Sequence, residues 1–134
     1  MKSAAKKESP VYPELSYQIV GCAYEVWDSL GAGQTEKSYL DALTAAFKSQ
    51  NISFKEQIQY SVQLNEELVG KGTLAFLVDE KVVIELKTDD LFPTSHITQV
   101  SKYMKQEDYR LGLLINFTSR GMRFKRIVNV TGNS

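Results

Sequence analysis

A short run of alternating apolar and charged residues, Val83-Ile84-Glu85-Leu86-Lys87, places a carboxylate and an amine two positions apart. In a β-strand, residues two positions apart point to the same face of the sheet. Glu85 and Lys87 therefore share a face. A carboxylate can hold a divalent metal ion, and an amine beside it can stabilise a phosphate anion. The same tripeptide also occurs as a solvated ion pair on exposed strands, so alone it does not establish a site.

The hairpin before this strand determines which residues lie near Glu85. If a three-residue loop pairs Val78 with Val82, one face of the hairpin becomes entirely apolar, formed by Leu74, Phe76, Val78, Val82, Ile84 and Leu86. A two-residue loop would instead mix these residues with charged ones. A slip of one residue moves every side chain to the opposite face, so burial favours the first register. That register places Ala75 directly across from Glu85, on the same face.

The spacing of apolar residues along the chain predicts eight elements. We expect helices over 14–30 and 35–50, strands over 53–64, 68–78 and 82–87, a helix over 94–106, and strands over 110–117 and 122–130. The strand over 110–117 is apolar without alternation, which is typical of a strand buried on both faces. Two helices, a three-strand meander, a helix and two strands predict an α/β fold with a mixed central sheet flanked by helices.

Length and charge indicate one domain without a general attraction to polyanions. The chain has 134 residues, which suits a single domain over 13–130. Residues 1–12 are expected to form a disordered tail, and 131–134 a short C-terminal tail. Lys and Arg together number 16, as do Asp and Glu. Any binding of nucleic acid must therefore come from a local patch.

The single cysteine, Cys22, and the absence of long apolar runs predict a cytoplasmic protein. One cysteine excludes an intramolecular disulfide, which fits a reducing compartment. Cys22 lies among the apolar positions of the first helix and is interpreted as a core residue. No run approaches the ~20 apolar residues that span a bilayer, and residues 1–10 lack the apolar stretch of a signal peptide. We expect no membrane association.

Five short motifs occur in a specific order along the chain. They are G-x-x-E-x-x-Y at 33–39, E-L-K at 85–87, H-x-x-Q-x-x-x-Y at 96–103, L-G-L-L-I-N-F at 111–117 and R-I-V-N at 126–129. Each is weak alone, but their order and spacing resemble the GxxExxY proteins of the PD-(D/E)XK nuclease superfamily. The resemblance covers residues 15–129, nearly the whole predicted domain.

The resemblance implies a restriction-endonuclease-like core that hydrolyses phosphodiester bonds of nucleic acid, DNA included, with Mg²⁺ or Mn²⁺. In that family an Asp on one strand and the E-x-K of the next hold the metal, so Glu85 is the expected ligand here. Lys87 is expected to position the attacking water or stabilise developing charge. Glu36 is expected at the edge of the catalytic site, with Gln99 and Tyr103 lining its far side.

The chain departs from the family pattern at the metal ligand. Where family members read V-G-x-Y-R-x-D-F-L-V, residues 69–78 have Ala75 in place of the Asp and Thr73 in place of the Arg. A methyl group cannot bind a hard cation. Glu36 would replace the lost ligand if its helix comes close, and Asp89 and Asp90 are weaker alternatives. We therefore expect metal binding to be weak or absent.

Basic residues near the C-terminus, with His96, form the predicted nucleic-acid contacts. The cluster contains Arg120, Arg123, Lys125 and Arg126, and the residues chosen for binding are Arg123, Lys125, Arg126 and His96. A solvated strand face, and helix capping for His96, remain open alternatives.

The sequence is compatible with three functions. The first is a metal-dependent nuclease of weakened activity, and the second is a nuclease-like protein that binds nucleic acid or protein without cutting. The third is a structural or interaction domain, such as a homodimer, that keeps only the fold. Ala75 argues against the first function, and we favour a nuclease-fold protein whose metal site is impaired or inactive.

Overall fold

A computed structural model describes residues 11–91 and 94–129. Its elements are α1 (Pro13–Leu30), α2 (Glu36–Ser49), β1 (Phe54–Leu64), β2 (Glu67–Val78), β3 (Val82–Lys87), α3 (Thr94–Glu107), β4 (Leu111–Phe117) and β5 (Met122–Val128). All eight predicted elements are present within two residues of the expected bounds. Gly31, with φ 68°, ends α1, and its N–H donates to the carbonyl of Trp27.

The strands form one mixed five-stranded sheet in the order β1-β2-β3-β4-β5. Neighbouring strands are antiparallel except β3 and β4, which are parallel. A parallel pair needs a crossover connection, and α3 supplies it between β3 and β4. The predicted mixed α/β architecture is confirmed.

Helices cover both faces of the sheet. On one face, α1 and α2 pack Ile19, Leu43 and Phe47 against the sheet in what we call the α1–α2 cluster. On the other, α3 packs Val100 and Met104 in what we call the α3 cluster. All seven residues of β4 are buried, as its unbroken apolar sequence predicted. None of the helices in the described ranges combines the length and apolarity that crossing a bilayer requires.

The predicted hairpin register between β2 and β3 is confirmed. Val78 pairs with Val82 across a loop in which Asp79 and Glu80 adopt left-handed φ angles of 54° and 56°. The hydrogen-bonded ladder covers only three pairs and ends at Phe76 and Ile84. The ladder between β2 and β3 therefore does not extend to the level of Glu85.

The predicted placement of Ala75 and Glu85 on one face of the hairpin is wrong, as is that of Leu74 on the apolar face. The alternation along β3, in which Val83 packs in the α3 cluster and Ile84 in the α1–α2 cluster, places Glu85 on the α3 side. Leu74 packs in the α3 cluster, whereas Ala75 packs in the α1–α2 cluster. The register places Ala75 opposite Gln57 of β1, which has a left-handed φ of 57°, and this pair is missing from the ladder. Ala75 and Phe76 both pack in the α1–α2 cluster, so the alternation is interrupted between them and the residues before this point lie on the faces opposite to those predicted.

The predicted N-terminal tail was drawn two residues too long. Val11 and Tyr12 are half-buried against the α1–α2 cluster, and the carbonyl of Tyr12 accepts the N–H of Ser16 at 2.9 Å. The Tyr12 ring also lies beneath the charged groups of Lys81 and Arg110. The rest of that tail, residues 1–10, and the C-terminal tail lie outside the described residues.

Cys22 is a core residue, as expected. It is 2% exposed within the α1–α2 cluster. Burial, together with the charge of Glu25, raises the pKa of its thiol to about 11, so the thiol stays protonated at neutral pH.

Candidate functional site

Glu85 is a nearly buried carboxylate just beyond the end of the ladder between β2 and β3. It is 8% exposed, and its Oε1 accepts a hydrogen bond of 3.3 Å from the N–H of Leu86. Its Oε2 lies 3.8 Å from Nζ of Lys87. Burial raises the pKa of Glu85 to about 7; Lys87 and the Leu86 N–H oppose the rise, and Glu36 adds to it. The group is therefore poised between its acid and its carboxylate form near neutral pH.

Glu36 stands at the start of α2, which the Thr35 side chain caps by accepting the N–H of Ser38 at 3.1 Å. The negative charge of Glu36 raises the pKa of Glu85 and opposes the lowering of that of His96. Two elements distant in sequence thus bring Glu36 into the surroundings of Glu85.

His96 lies in the first turn of α3 and faces the same region. Burial lowers its pKa, and the charge of Lys87 lowers it further, while Asp89 and Glu36 oppose this. Its Nδ1 is buried and has no hydrogen-bond partner among the residues described. A neutral imidazole with a free nitrogen can accept or donate a hydrogen bond to an incoming ligand.

Tyr103, expected to line the site, is mainly a packing residue. It is 8% exposed, and its ring lies between those of Tyr60 and Tyr109, with centroids 5.3 Å and 6.0 Å away. Gln99, one turn earlier on α3, is exposed to solvent. The catalytic roles predicted for these two residues stay predictions, and the burial of Tyr103 favours packing.

Sequence reasoning missed Tyr60 as a neighbour of the site. Burial raises the pKa of its hydroxyl, and the nearby charge of Glu85 adds to the rise. Its ring lies over Gly72 of β2, where a Cβ atom would collide with it. A glycine directly across from an aromatic residue on a paired strand was the signal that would have indicated this arrangement.

Ala75 offers no ligand where the family pattern expects one. It is 8% exposed and packs on the side of the sheet covered by α2, the helix that carries Glu36. In the part of the chain that the structure describes, no three His, Cys, Asp or Glu residues lie close enough to hold a metal ion. Asp90 is engaged elsewhere, since its carboxylate accepts hydrogen bonds from Ser119. The described residues therefore do not bring three such ligands together.

The basic residues of β5 divide between the two faces of the sheet. Arg123 pairs with Asn116 and Lys125 with Leu114, which places both on the α3 side. Arg126 pairs with Leu113 on the opposite side. There its guanidinium donates to Ser16 Oγ at 2.7 Å and to the carbonyl of Val11 at 3.1 Å. Arg126 therefore fastens the N-terminal segment to the sheet, and the single basic patch predicted from sequence is not formed.

Comparison with known proteins agrees with this architecture. A crystal structure of the protein SSO0001 superposes with a TM-score of 0.52 at 13% identity, covering 90% of this chain and 78% of that chain, which shows a shared fold. No curated protein sequence matches the chain. The family model of the PD-(D/E)XK nuclease superfamily matches residues 13–127. The chain belongs to the PD-(D/E)XK nuclease superfamily.

Proposed function

We propose that the protein is a nuclease-like member of the superfamily, of the GxxExxY type, whose metal site is impaired or inactive. The observation that carries the proposal is Ala75 at the position where the family pattern has the metal-binding Asp, next to Phe76, at which the ladder of β2 and β3 ends. The activity from which the site derives is hydrolysis of phosphodiester bonds in nucleic acid, with Mg²⁺ or Mn²⁺ as the expected ion. We place the protein in the cytoplasm.

The chemistry of the remaining groups supports weak metal binding. Hard divalent cations bind through several oxygen ligands. Position 75 supplies a methyl group, and Glu85 has a pKa raised to about 7, so a proton competes with a cation for its carboxylate. Glu36 lies within electrostatic reach of Glu85, but it is exposed at the start of its helix. Lys87 remains available to stabilise a phosphate.

A second candidate is a domain that binds nucleic acid or protein, including a second copy of itself, without cutting. The exposed cations Arg123 and Lys125 on the α3 side favour nucleic acid within this alternative. Both candidate functions share the nuclease fold. Only the first predicts that restoring an Asp at position 75 restores cleavage of nucleic acid.

The test is a cleavage assay of the chain as written and of Ala75→Asp, with Mg²⁺ or Mn²⁺ and with single- and double-stranded DNA and RNA. We expect negligible cleavage by the first form. In Ala75→Asp, we expect the cleavage rate to rise by orders of magnitude, because the ligands of one metal site act as a unit. Ala75→Asn, similar in size but neutral, is the matched control. Adding Glu85→Gln to Ala75→Asp should abolish the gain.

Strong metal-dependent cleavage by the chain as written would contradict the proposal and indicate that Glu36 or Asp89 supplies the missing ligand. A folded Ala75→Asp variant that binds Mn²⁺ but cuts no substrate would support the non-cutting alternative.

A further inference from the structure

A second polar pocket lies at the carboxyl ends of β3 and β4. It is lined by Asp90, Thr118, Ser119, Arg120 and Arg123. The turn after β4 is held rigid by Thr118, whose Oγ1 accepts the N–H groups of Arg120 and Gly121, each at 3.1 Å. The pocket is therefore formed by two connections that the parallel strands bring to the same edge of the sheet.

Asp90 occupies the two donors that Ser119 provides in this pocket. Its two carboxylate oxygens accept the N–H of Ser119 at 2.9 Å and the Ser119 hydroxyl at 3.1 Å. These contacts, with the charges of Arg120 and Arg123, hold the pKa of Asp90 below its usual range. A backbone N–H and a hydroxyl that bind one carboxylate, with two guanidinium groups near enough for their charge to act on it, are the donor types that also bind phosphate oxygens.

The combined positive charge of Arg120 and Arg123 exceeds the negative charge of Asp90. Among the residues that the structure describes, neither guanidinium forms a hydrogen bond or an ion pair. Each keeps its fork of donors free, and two cations beside one carboxylate leave one positive charge uncompensated. Arg–phosphate contacts satisfy both the charge and the planar donor geometry.

The pocket adjoins the Glu85 site on the same face. Lys87 pairs with Asn116, and Asn116 pairs with Arg123, so the three residues form one row across β3, β4 and β5. Because adjacent strands lie about 4.8 Å apart, the Cα atoms of Lys87 and Arg123 are separated by roughly 10 Å. Asn116 is fully buried and donates to the carbonyl of Leu91, which fixes the loop carrying Asp90 beside this row.

We infer that this pocket binds a backbone phosphate of a nucleic acid, and that Asp90 is an internal competitor for it. The phosphate takes over the Ser119 donors and both arginines, and the Asp90 carboxylate moves to solvent. This deepens the proposed function, because it rests on nucleic acid as the ligand and adds a contact beside Lys87. It also separates binding from cutting, since no metal takes part.

The test measures binding of a fluorescently labelled single-stranded DNA oligonucleotide to the full chain by anisotropy, with EDTA present. Arg120→Gln and Arg123→Gln should each weaken binding about tenfold. Each should also reduce the slope of log affinity against log salt by ~0.7, the value for one lost phosphate contact on a single strand. Asp90→Asn keeps an oxygen acceptor for Ser119 but loses the charge, and should tighten binding severalfold.

Lys125→Gln is the matched control, because Lys125 lies on the same strand and face as Arg123 but outside the pocket. It should change affinity less than Arg123→Gln does. A second readout is the amide NMR signal of Ser119, which should shift when the oligonucleotide is added and shift little with equal inorganic phosphate.

Equal loss of affinity in the Lys125 and Arg123 variants, an unmoved Ser119 signal, or an unaltered affinity in Asp90→Asn would overturn the inference. So would a failure of the chain as written to bind the oligonucleotide. These results are independent of cleavage by Ala75→Asp, so failure of this inference and failure of the proposed nuclease origin are distinguishable.

Discussion

Two neighbouring polar regions at the same end of the sheet differ in what they lack. The Glu85 region is nearly buried and has a methyl group at the expected ligand position. The pocket of Asp90, Arg120 and Arg123 is open to solvent and contains a full set of anion donors. On the proposed function, metal chemistry depends on the residue type at position 75, whereas the anion donors of the second pocket do not depend on it.

The two carboxylates show how their surroundings set this difference. Burial raises the pKa of Glu85, while hydrogen bonds from Ser119 lower that of Asp90. Protonation of Glu85 therefore favours the folded state, whereas protonation of Asp90 disfavours it. Substituting each by its amide should have opposite effects on stability, and the following predictions use this contrast.

The largest effect is expected for Glu85→Gln. Because the folded pKa of Glu85 is raised from 4.5 to about 7, ionisation destabilises the folded state as pH rises through this window. At 1.36 kcal/mol per pKa unit, the penalty above pH 7 is about 3 kcal/mol. The variant should therefore be more stable than the chain as written at pH 8 by about that amount, and equally stable near pH 4.5.

Urea unfolding at both pH values measures this difference. Glu36→Gln provides a control with a much smaller expected effect, because Glu36 is exposed and contributes least to the altered pKa of Glu85. A Glu85→Gln variant whose stability advantage does not depend on pH would show that the carboxylate is not held in a low-dielectric environment.

A smaller effect is expected for Arg126→Gln. Its two hydrogen bonds to Ser16 and Val11 fasten the N-terminal segment to β5. Their loss should lower the free energy of unfolding by about 2 kcal/mol, the range for charge-assisted bonds. Arg123→Gln, on the other face of the same strand, should change it by less than about 0.5 kcal/mol. Chemical denaturation measures both; equal destabilisation would contradict the division of the basic cluster.

The smallest effect, with the opposite pH dependence, is expected for Asp90→Asn. The folded pKa of Asp90 lies below its ordinary 3.8, so its ionised form adds stability above that pH and loses it as pH falls. The amide removes this contribution. Thermal melts between pH 2 and 7 should show the variant slightly less stable at pH 7, with the difference vanishing in acid. A higher melting temperature of Asp90→Asn at pH 7 would show that the hydrogen bonds from Ser119 to Asp90 do not stabilise the fold.

The secondary structure and the pairing of β2 with β3 could be predicted because local periodicity and burial determine them. The apolar face formed by Phe76, Val78, Val82, Ile84 and Leu86 left only one register compatible with a core. The departure at Leu74 and Ala75 could not be predicted, because it depends on the left-handed backbone of Gln57 on the neighbouring strand. No apolar pattern in β2 carries that information.

Contacts distant in sequence account for the remaining differences in the site. The family pattern placed Glu36 near Glu85, and their electrostatic coupling agrees with this. Arg126 was grouped with Arg123 by proximity in sequence, but its partners Ser16 and Val11 come from the other end of the chain. The Asp90–Ser119 bonds likewise join two connections that only the parallel pairing of β3 and β4 brings together.

The most direct test of the central claim is calorimetric titration of Mn²⁺ into the chain as written, Ala75→Asp and Ala75→Asn at pH 8, where Glu85 is ionised. We predict no measurable binding by the first and third forms. Saturable binding of one ion is predicted for Ala75→Asp, because the family pattern has a metal-binding Asp at this position and the new carboxylate adds a hard oxygen ligand. Equally tight binding by the chain as written would contradict the account, as would an Ala75→Asp variant that folds and binds no ion.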